Sequence, residues 1–111
     1  MPGKKILKIN SFLFILFFYK IFMKRIRVRI YGRVQGVWFR AHTKEMADKL
    51  GLGGWVKNMP DGSVFAIFEG DENKIKEMIE WCHRGPPLAR VERVEIEEEE
   101  IKGERDFKIK Y

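Results

Sequence analysis

The sequence predicts an α+β domain in which an antiparallel sheet carries two helices on one of its faces. Three observations lead to this fold class. Polar and apolar residues alternate from Arg25 to Tyr31, which is the period of a half-buried strand. Apolar residues recur at helical spacing ahead of Gly51 and again ahead of Gly85, and β-type sequence follows both helical segments. Strands and helices are therefore interleaved along one chain.

The first strand and the first helix have different apolar periods. On the strand, the core face would carry Ile26, Val28 and Ile30, and the outer face Arg25, Arg27 and Arg29. After a glycine-bearing loop, the apolar positions take helical spacing and stop before Gly51, a residue type common at helix C-termini. These helical positions are Thr43, Met46, Ala47 and Leu50.

A β-hairpin is predicted next. A short strand over residues 55–57 leads into Pro60, Asp61 and Gly62, which favour a tight reversal of the chain. The returning strand, residues 63–69, is apolar on both faces. A strand of this kind belongs inside the sheet.

The second helix begins after Asp71, whose side chain suits the N-cap position. One face of this helix would carry Ile75, Met78, Ile79 and Cys82. A glycine and two prolines then end it. A strand over residues 90–98 has Val94 and Ile96 on one face. A short strand over residues 107–111 completes the chain, and the order is that of the ferredoxin-like βαββαβ sandwich with one short strand added.

Composition and charge narrow the possible functions. With 111 residues, 45% of them hydrophobic and 34% charged, the chain is long enough for one globular core and is unlike a disordered protein. The formal net charge is +6, but four of the basic residues and none of the acidic ones lie in residues 1–23. The remainder is close to charge balance, so a broad nucleic-acid surface is not expected. The single cysteine, Cys82, cannot form an internal disulfide, and we expect a cytoplasmic protein.

Residues 1–23 differ from the rest of the chain. A basic start precedes the apolar run of residues 12–19, and Lys20 interrupts the apolar sequence. A membrane-spanning helix needs about 20 apolar residues, and a signal peptide needs a small-residue cleavage site, which is missing here. We therefore expect an N-terminal extension ahead of a native start at Met23, with the functional domain over residues 24–111. If the extension is retained, it could attach the domain to a membrane or to another subunit.

The loop between the first strand and the first helix is the strongest candidate for a ligand site. Residues 32–40 read Gly-Arg-Val-Gln-Gly-Val-Trp-Phe-Arg. A glycine-bearing loop that leads into a helix presents unpaired N–H groups at the positive end of the helix dipole, which favours an anion. Arg40 could hold two phosphate oxygens at once. From this spacing alone, a purely structural role for the two glycines is the more frequent alternative.

Two segments resemble the signatures of the acylphosphatase family. Residues 30–40 are similar to the first signature, and residues 54–58, Gly-Trp-Val-Lys-Asn, are similar to the second. The second signature continues at Gly62, Val64 and Gly70. The resemblance extends over residues 24–111. It implies the ferredoxin-like fold and the hydrolysis of acyl phosphates to a carboxylate and inorganic phosphate, with no metal and no cofactor.

The same resemblance assigns roles to individual residues. Arg40 would bind the phosphoryl group, and Asn58 would hold the attacking water. Backbone amides of the loop would complete the phosphate site, and they belong to Gln35, Gly36, Val37, Trp38 and Phe39. Two interpretations of the Trp38 side chain stay open, because it would either shape the acyl side of the site or pack beside the loop.

Other candidate residues are given structural roles. His42 follows Arg40 by two positions and is expected to be an ordinary helix residue rather than a base. Cys82 and His83 are neighbours but cannot supply the four ligands of a structural zinc site. Cys82 also falls on the apolar face of its helix, which indicates a core position.

Two other functions compete with hydrolysis. A phosphate- or nucleic-acid-binding module without catalysis would need exposed aromatic residues on the central strands, and Phe65 and Phe68 alternate onto opposite faces. A domain from a larger carbamoyl-transferring protein would continue further and carry clustered cysteines, so a free-standing enzyme is favoured. Its expected partner is a small acyl phosphate. We expect a monomer that binds no nucleic acid, and no membrane unless residues 1–23 insert.

Overall fold

The computed structural model describes residues 11–111, apart from the side chains of residues 19 and 20. The strands are β1 (Met23–Arg33), β2 (Gly53–Asn58), β3 (Val64–Asp71), β4 (Arg90–Glu99) and β5 (Phe107–Lys110). The helices are α1 (Ser11–Phe22), α2 (Phe39–Lys49) and α3 (Glu72–Arg84). The predicted order of strands and helices is confirmed, with α1 as an additional helix ahead of β1. Residues 1–10 of the N-terminal extension lie outside the described residues.

The five strands form one sheet in the order β4-β1-β3-β2-β5. The β3 strand is central, as its apolar faces predict, and it pairs antiparallel with both β1 and β2. The β5 strand pairs parallel with β2, so the sheet is mixed rather than wholly antiparallel. In this register Lys57 lies opposite Lys110. The last residues of the chain are therefore beside the end of β2.

The core lies between one face of the sheet and helices α2 and α3. It contains the predicted strand residues Ile26, Val28 and Ile30, each at most 4% exposed. The rings of Phe39 on α2 and Trp81 on α3 meet at 5.3 Å between centroids. Other buried members include Ala47, Leu52, Val56, Ala66, Phe68, Ile75, Met78, Cys82 and Phe107. Packing of this kind fixes both helices against the sheet.

Polar groups at the two ends of α3 fix its limits. The Asp71 carboxylate accepts hydrogen bonds from the backbone N–H groups of Asn73 and Lys74, so the predicted N-cap is confirmed. At the other end, the N–H of Gly85 donates to the carbonyl of Trp81 at 2.7 Å. Cys82 is buried, as predicted, and burial raises the pKa of its thiol to about 12.

Arg25 differs from the other three arginines of β1, because its side chain is only 3% exposed. Its guanidinium donates to Glu69, Glu99 and Glu104 at 3.1, 3.0 and 3.1 Å. The Glu69 carboxylate also accepts two backbone N–H groups from the loop that precedes β5. This cluster connects β1, β3 and β4 to that loop, and so helps to fix the path of the chain into β5.

The β4 strand packs through a different pair of residues from the predicted one. Val94 contacts the core as predicted, whereas Ile96 is 39% exposed. A register shift between Tyr31 and Gly32 on the partner strand brings Val91 onto the core instead. β4 is an edge strand of the sheet.

The N-terminal helix α1 runs directly into β1. Its apolar side chains are 44–65% exposed at the positions of Phe12, Leu13, Phe14, Ile15, Leu16, Phe17, Phe18, Ile21 and Phe22. Among residues 11–111, no helix has the length and apolar character needed to cross a membrane.

Candidate functional site

The loop of residues 34–38 connects β1 to the start of α2. Trp38 occupies the N-cap position of α2, and its side chain makes no capping hydrogen bond. The N–H of His42 donates to the Trp38 carbonyl at 3.1 Å, which closes the first helical turn. The N–H groups ahead of that bond have no partner within the helix, and they carry the positive end of its dipole. This end of α2 is therefore suited to an anion.

Two glycines, one near the end of β1 and one in the loop, shape this connection for different reasons. Gly32 has φ 130°, and a Cβ at this position would lie 2.1 Å from the carbonyl oxygen of Arg90 on β4. Gly36 has φ 72°, and the space where a Cβ would lie is open. Glycine is therefore favoured here only because the backbone is left-handed. Gly32 allows the β1 and β4 backbones to meet closely, and Gly36 turns the chain toward α2.

A pocket of about 320 Å³ opens at this end of α2. It brings together Arg40 from the first signature and Asn58 from the second, which are separated by most of α2 and β2 in sequence. The lining residues are Val34, Gly36, Trp38, Phe39, Arg40, Ala41, Asn58, Ile109 and Tyr111. The pocket therefore combines one cation, one amide and a helix N-terminus with an apolar part.

The Arg40 side chain is held from the β5 side of the pocket. Its guanidinium carbon lies 4.8 Å from the centre of the Tyr111 ring, within the range of a cation–π contact. One Nη donates to the Lys110 carbonyl at the long distance of 3.5 Å. A guanidinium has five N–H donors, so these contacts leave donors available for a ligand in the pocket.

Asn58 is the last residue of β2, at the edge of the turn that leads to β3. The turn is closed by the N–H of Met59, which donates to the Ser63 carbonyl at 2.8 Å. The Gln35 side-chain amide donates to the same two residues, to the Met59 carbonyl at 2.8 Å and the Ser63 carbonyl at 2.9 Å. Gln35 thus connects the loop of residues 34–38 to the turn that carries Asn58.

A second set of polar contacts supports the same turn from the outer face of the sheet. The Arg29 guanidinium donates to Ser63 Oγ at 3.0 Å and to Asp61 Oδ2 at 3.1 Å. The Ser63 hydroxyl and backbone N–H both donate to Asp61 Oδ1. Hydrogen bonds from Ser63, with the charge of Arg29 in a smaller part, lower the pKa of Asp61. Both ends of the turn are therefore fixed by side chains.

The remaining predicted residues have other surroundings. Val37 is 5% exposed in the core, and neither Val37 nor Gln35 is among the residues that line the pocket. His42 is exposed on α2 and is likewise absent from that lining. In the described part of the chain, no three His, Cys, Asp or Glu residues are grouped closely enough to hold a metal ion.

Ile109 and Tyr111 are pocket residues that the sequence did not indicate. Their alternation with Phe107 predicts a strand, but the pattern does not show which strand it pairs with. Only the parallel pairing of β5 with β2 brings them to the site.

The fold and the pocket define a small ferredoxin-like protein whose pocket is suited to an anionic ligand. The family model described as acylphosphatase matches residues 26–109, and the chain belongs to the acylphosphatase family. A relative from Rubrobacter xylanophilus, named acylphosphatase, is 54% identical over 88 residues, which cover 78% of this chain and 80% of the relative. One of the same name from Thermococcus kodakarensis is 55% identical over 89 residues, covering 78% and 98%.

The fold comparison agrees with the sequence comparison. The solved structure of an acylphosphatase from Coxiella burnetii superposes with a TM-score of 0.79 at 36% identity. The superposition covers 82% of this chain and 96% of that structure. The predicted family and the ferredoxin-like fold class are thus both confirmed.

Proposed function

We propose that this protein hydrolyses acyl phosphates to a carboxylate and inorganic phosphate. One observation carries the proposal, which is that Arg40 and Asn58 line a single pocket at the N-terminus of α2. Membership of the acylphosphatase family supports the same reaction. A phosphate-binding role without catalysis would leave the Asn58 amide in this pocket without a function.

The phosphoryl group binds at the polar part of the pocket. Arg40 supplies a fixed positive charge and donors that match two phosphoryl oxygens. Backbone amides of the loop supply the remaining donors: Gly36, Trp38 and Phe39 line the pocket, and Gln35 and Val37 are their chain neighbours. Because the loop is built before substrate arrives, these donors stabilise the charge of the transition state with little reorganisation.

Asn58 holds the attacking water in line with the bond that breaks. The water oxygen forms a bond to phosphorus while the bond from phosphorus to the acyl oxygen breaks, and the carboxylate leaves with that electron pair. An amide is a poor base, so the water proton passes to a phosphoryl oxygen of the substrate itself. A carboxylate is already a good leaving group, so positioning and charge stabilisation supply the catalysis.

Three variants test these roles. We expect Arg40→Ala and Asn58→Ala to lower kcat/KM for benzoyl phosphate by about 10²- to 10³-fold, the usual effect of losing one preorganised donor. Arg40→Lys should lose activity as well, because a point charge cannot form the two-pronged contact. Asn73→Ala, a matched amide removal on the exposed start of α3, should leave the rate unchanged. Full activity in a folded Asn58→Ala protein would rule out the water-holding role.

We also propose that residues 24–111 act as a complete, monomeric enzyme in the cytoplasm. Every residue that lines the pocket belongs to this range of one chain, and the lone Cys82 requires no oxidising compartment. A protein that begins at Met23 should keep the kcat/KM of the full chain and elute as a monomer in size-exclusion chromatography. A large loss of rate on removal of residues 1–22 would contradict the proposal.

A further inference from the structure

Trp38 combines two unusual properties at the mouth of the pocket. Its side chain is 70% exposed, whereas Trp81 is 8% exposed and Trp55 is half-buried. Its backbone is left-handed, at φ 67° and ψ 21°, and among residues 11–111 it is the only non-glycine residue with positive φ. A bulky residue in this conformation is strained, and such strain is concentrated at functional sites.

The pocket has a polar part and an apolar part. Arg40, Asn58 and the start of α2 supply the polar part, and Trp38, Ile109 and Tyr111 supply much of the apolar part. Tyr111 is 90% exposed, so the two most exposed aromatic rings among residues 23–111 both line this pocket. Exposed aromatic rings next to a polar site are typical of ligand recognition rather than of folding.

We propose that Trp38, together with Tyr111 and Ile109, selects acyl phosphates whose acyl group is aromatic or otherwise large and apolar. This inference rests on the proposed hydrolysis, because the phosphoryl group must occupy the polar part of the pocket. The acyl group is then held near the apolar part by the single anhydride oxygen. A flat ring attached there can stack against the Trp38 indole, whereas an acetyl group is too small to cover it.

A comparison of two substrates measures this selection. Benzoyl phosphate and acetyl phosphate have the same reacting end, so the ratio of their kcat/KM values isolates the acyl contribution. Loss of one aromatic contact corresponds to about tenfold in kcat/KM. We expect Trp38→Ala to lower the benzoyl to acetyl ratio by about tenfold, because the ring is lost while the backbone N–H of residue 38 stays in the phosphate loop.

Further variants separate ring recognition from backbone strain. Trp38→Gly removes the ring and relieves the left-handed strain, so it should reproduce the fall in the ratio while raising the melting temperature. Trp38→Phe keeps a ring and should retain most of the preference. Leu88→Ala removes another exposed apolar side chain, which is 67% exposed and outside the pocket, and should change neither rate.

The outcomes distinguish this inference from the proposed function. If the wild-type protein hydrolyses both substrates and the ratio is unchanged in Trp38→Ala and Trp38→Gly, acyl selection by Trp38 is wrong and the hydrolysis stands. An equal loss on both substrates would assign Trp38 to the shape of the phosphate loop and would also overturn the selection. If the wild-type protein hydrolyses neither substrate, both proposals fail together.

Discussion

Among the described residues, Gln35 is the one side chain of the loop of residues 34–38 that hydrogen-bonds to the turn carrying Asn58. Its removal should lower kcat more than it lowers the affinity for phosphate. It makes two hydrogen bonds, at 2.8 and 2.9 Å, to partly buried carbonyl groups. At about 0.5–1.5 kcal/mol each, Gln35→Leu should lose about 1–3 kcal/mol of stability. A misplacement of about 1 Å at the reacting centre costs about 10²-fold in rate, so we expect kcat to fall by about 10- to 100-fold.

Steady-state kinetics with an acyl phosphate substrate and inhibition by inorganic phosphate provide the assay. Arg40 remains in place, so the phosphate inhibition constant should change by less than about threefold. Gln35→Glu keeps the shape but presents oxygens that cannot donate to the carbonyl groups, and it should show the same fall in kcat. Asp71→Ala provides a control of similar stability loss far from the pocket. Normal kcat in a destabilised Gln35→Leu protein would refute the positioning role, because it would leave Gln35 with a structural role only.

Three further predictions concern stability and reactivity. Arg25→Ala removes the guanidinium that pairs with the buried Glu69 carboxylate and should cost about 3–5 kcal/mol in denaturant unfolding. A loss below about 1 kcal/mol would contradict a strong buried pair. Asp71→Ala removes the α3 N-cap and should cost about 1 kcal/mol, with kcat equal to that of the wild type. Cys82 should resist thiol-alkylating reagents at pH 8 and react only after unfolding. Its pKa of about 12 keeps the buried thiol protonated in the native protein. Rapid labelling of the folded chain would contradict its burial.

Much of the fold follows from local pattern. The alternation of β1, the two-sided apolar character of β3 and the Asp71 cap each depend on residues close together in sequence, and each is found in the structure. The parallel entry of β5 beside β2 was not predictable, because β5 follows an edge strand and ends at the opposite edge of the sheet. Its direction depends on tertiary contacts, including the Arg25 cluster that holds the preceding loop.

The candidate site was predictable to a similar extent. The signatures indicate Arg40 and Asn58, and the fold brings both to one pocket. The contacts of the Gln35 side chain with Met59 and Ser63 could not be predicted from the sequence. These partners lie 24 and 28 positions further along the chain, and the contacts depend on the approach of two loops. Tyr111 and Ile109 were missed for the same reason, since their place in the pocket depends on the pairing of β5.

In the proposed reaction, a water held in this pocket attacks phosphorus without help from a metal. The most direct test is hydrolysis of benzoyl phosphate by the wild-type protein in ¹⁸O-labelled water, with a strong metal chelator present and the products analysed by mass spectrometry. We expect turnover that the chelator does not reduce, with the label in inorganic phosphate and none in benzoate. Label in benzoate would mean attack on the acyl carbon, and loss of turnover with the chelator would mean that a metal takes part; either result would contradict the account.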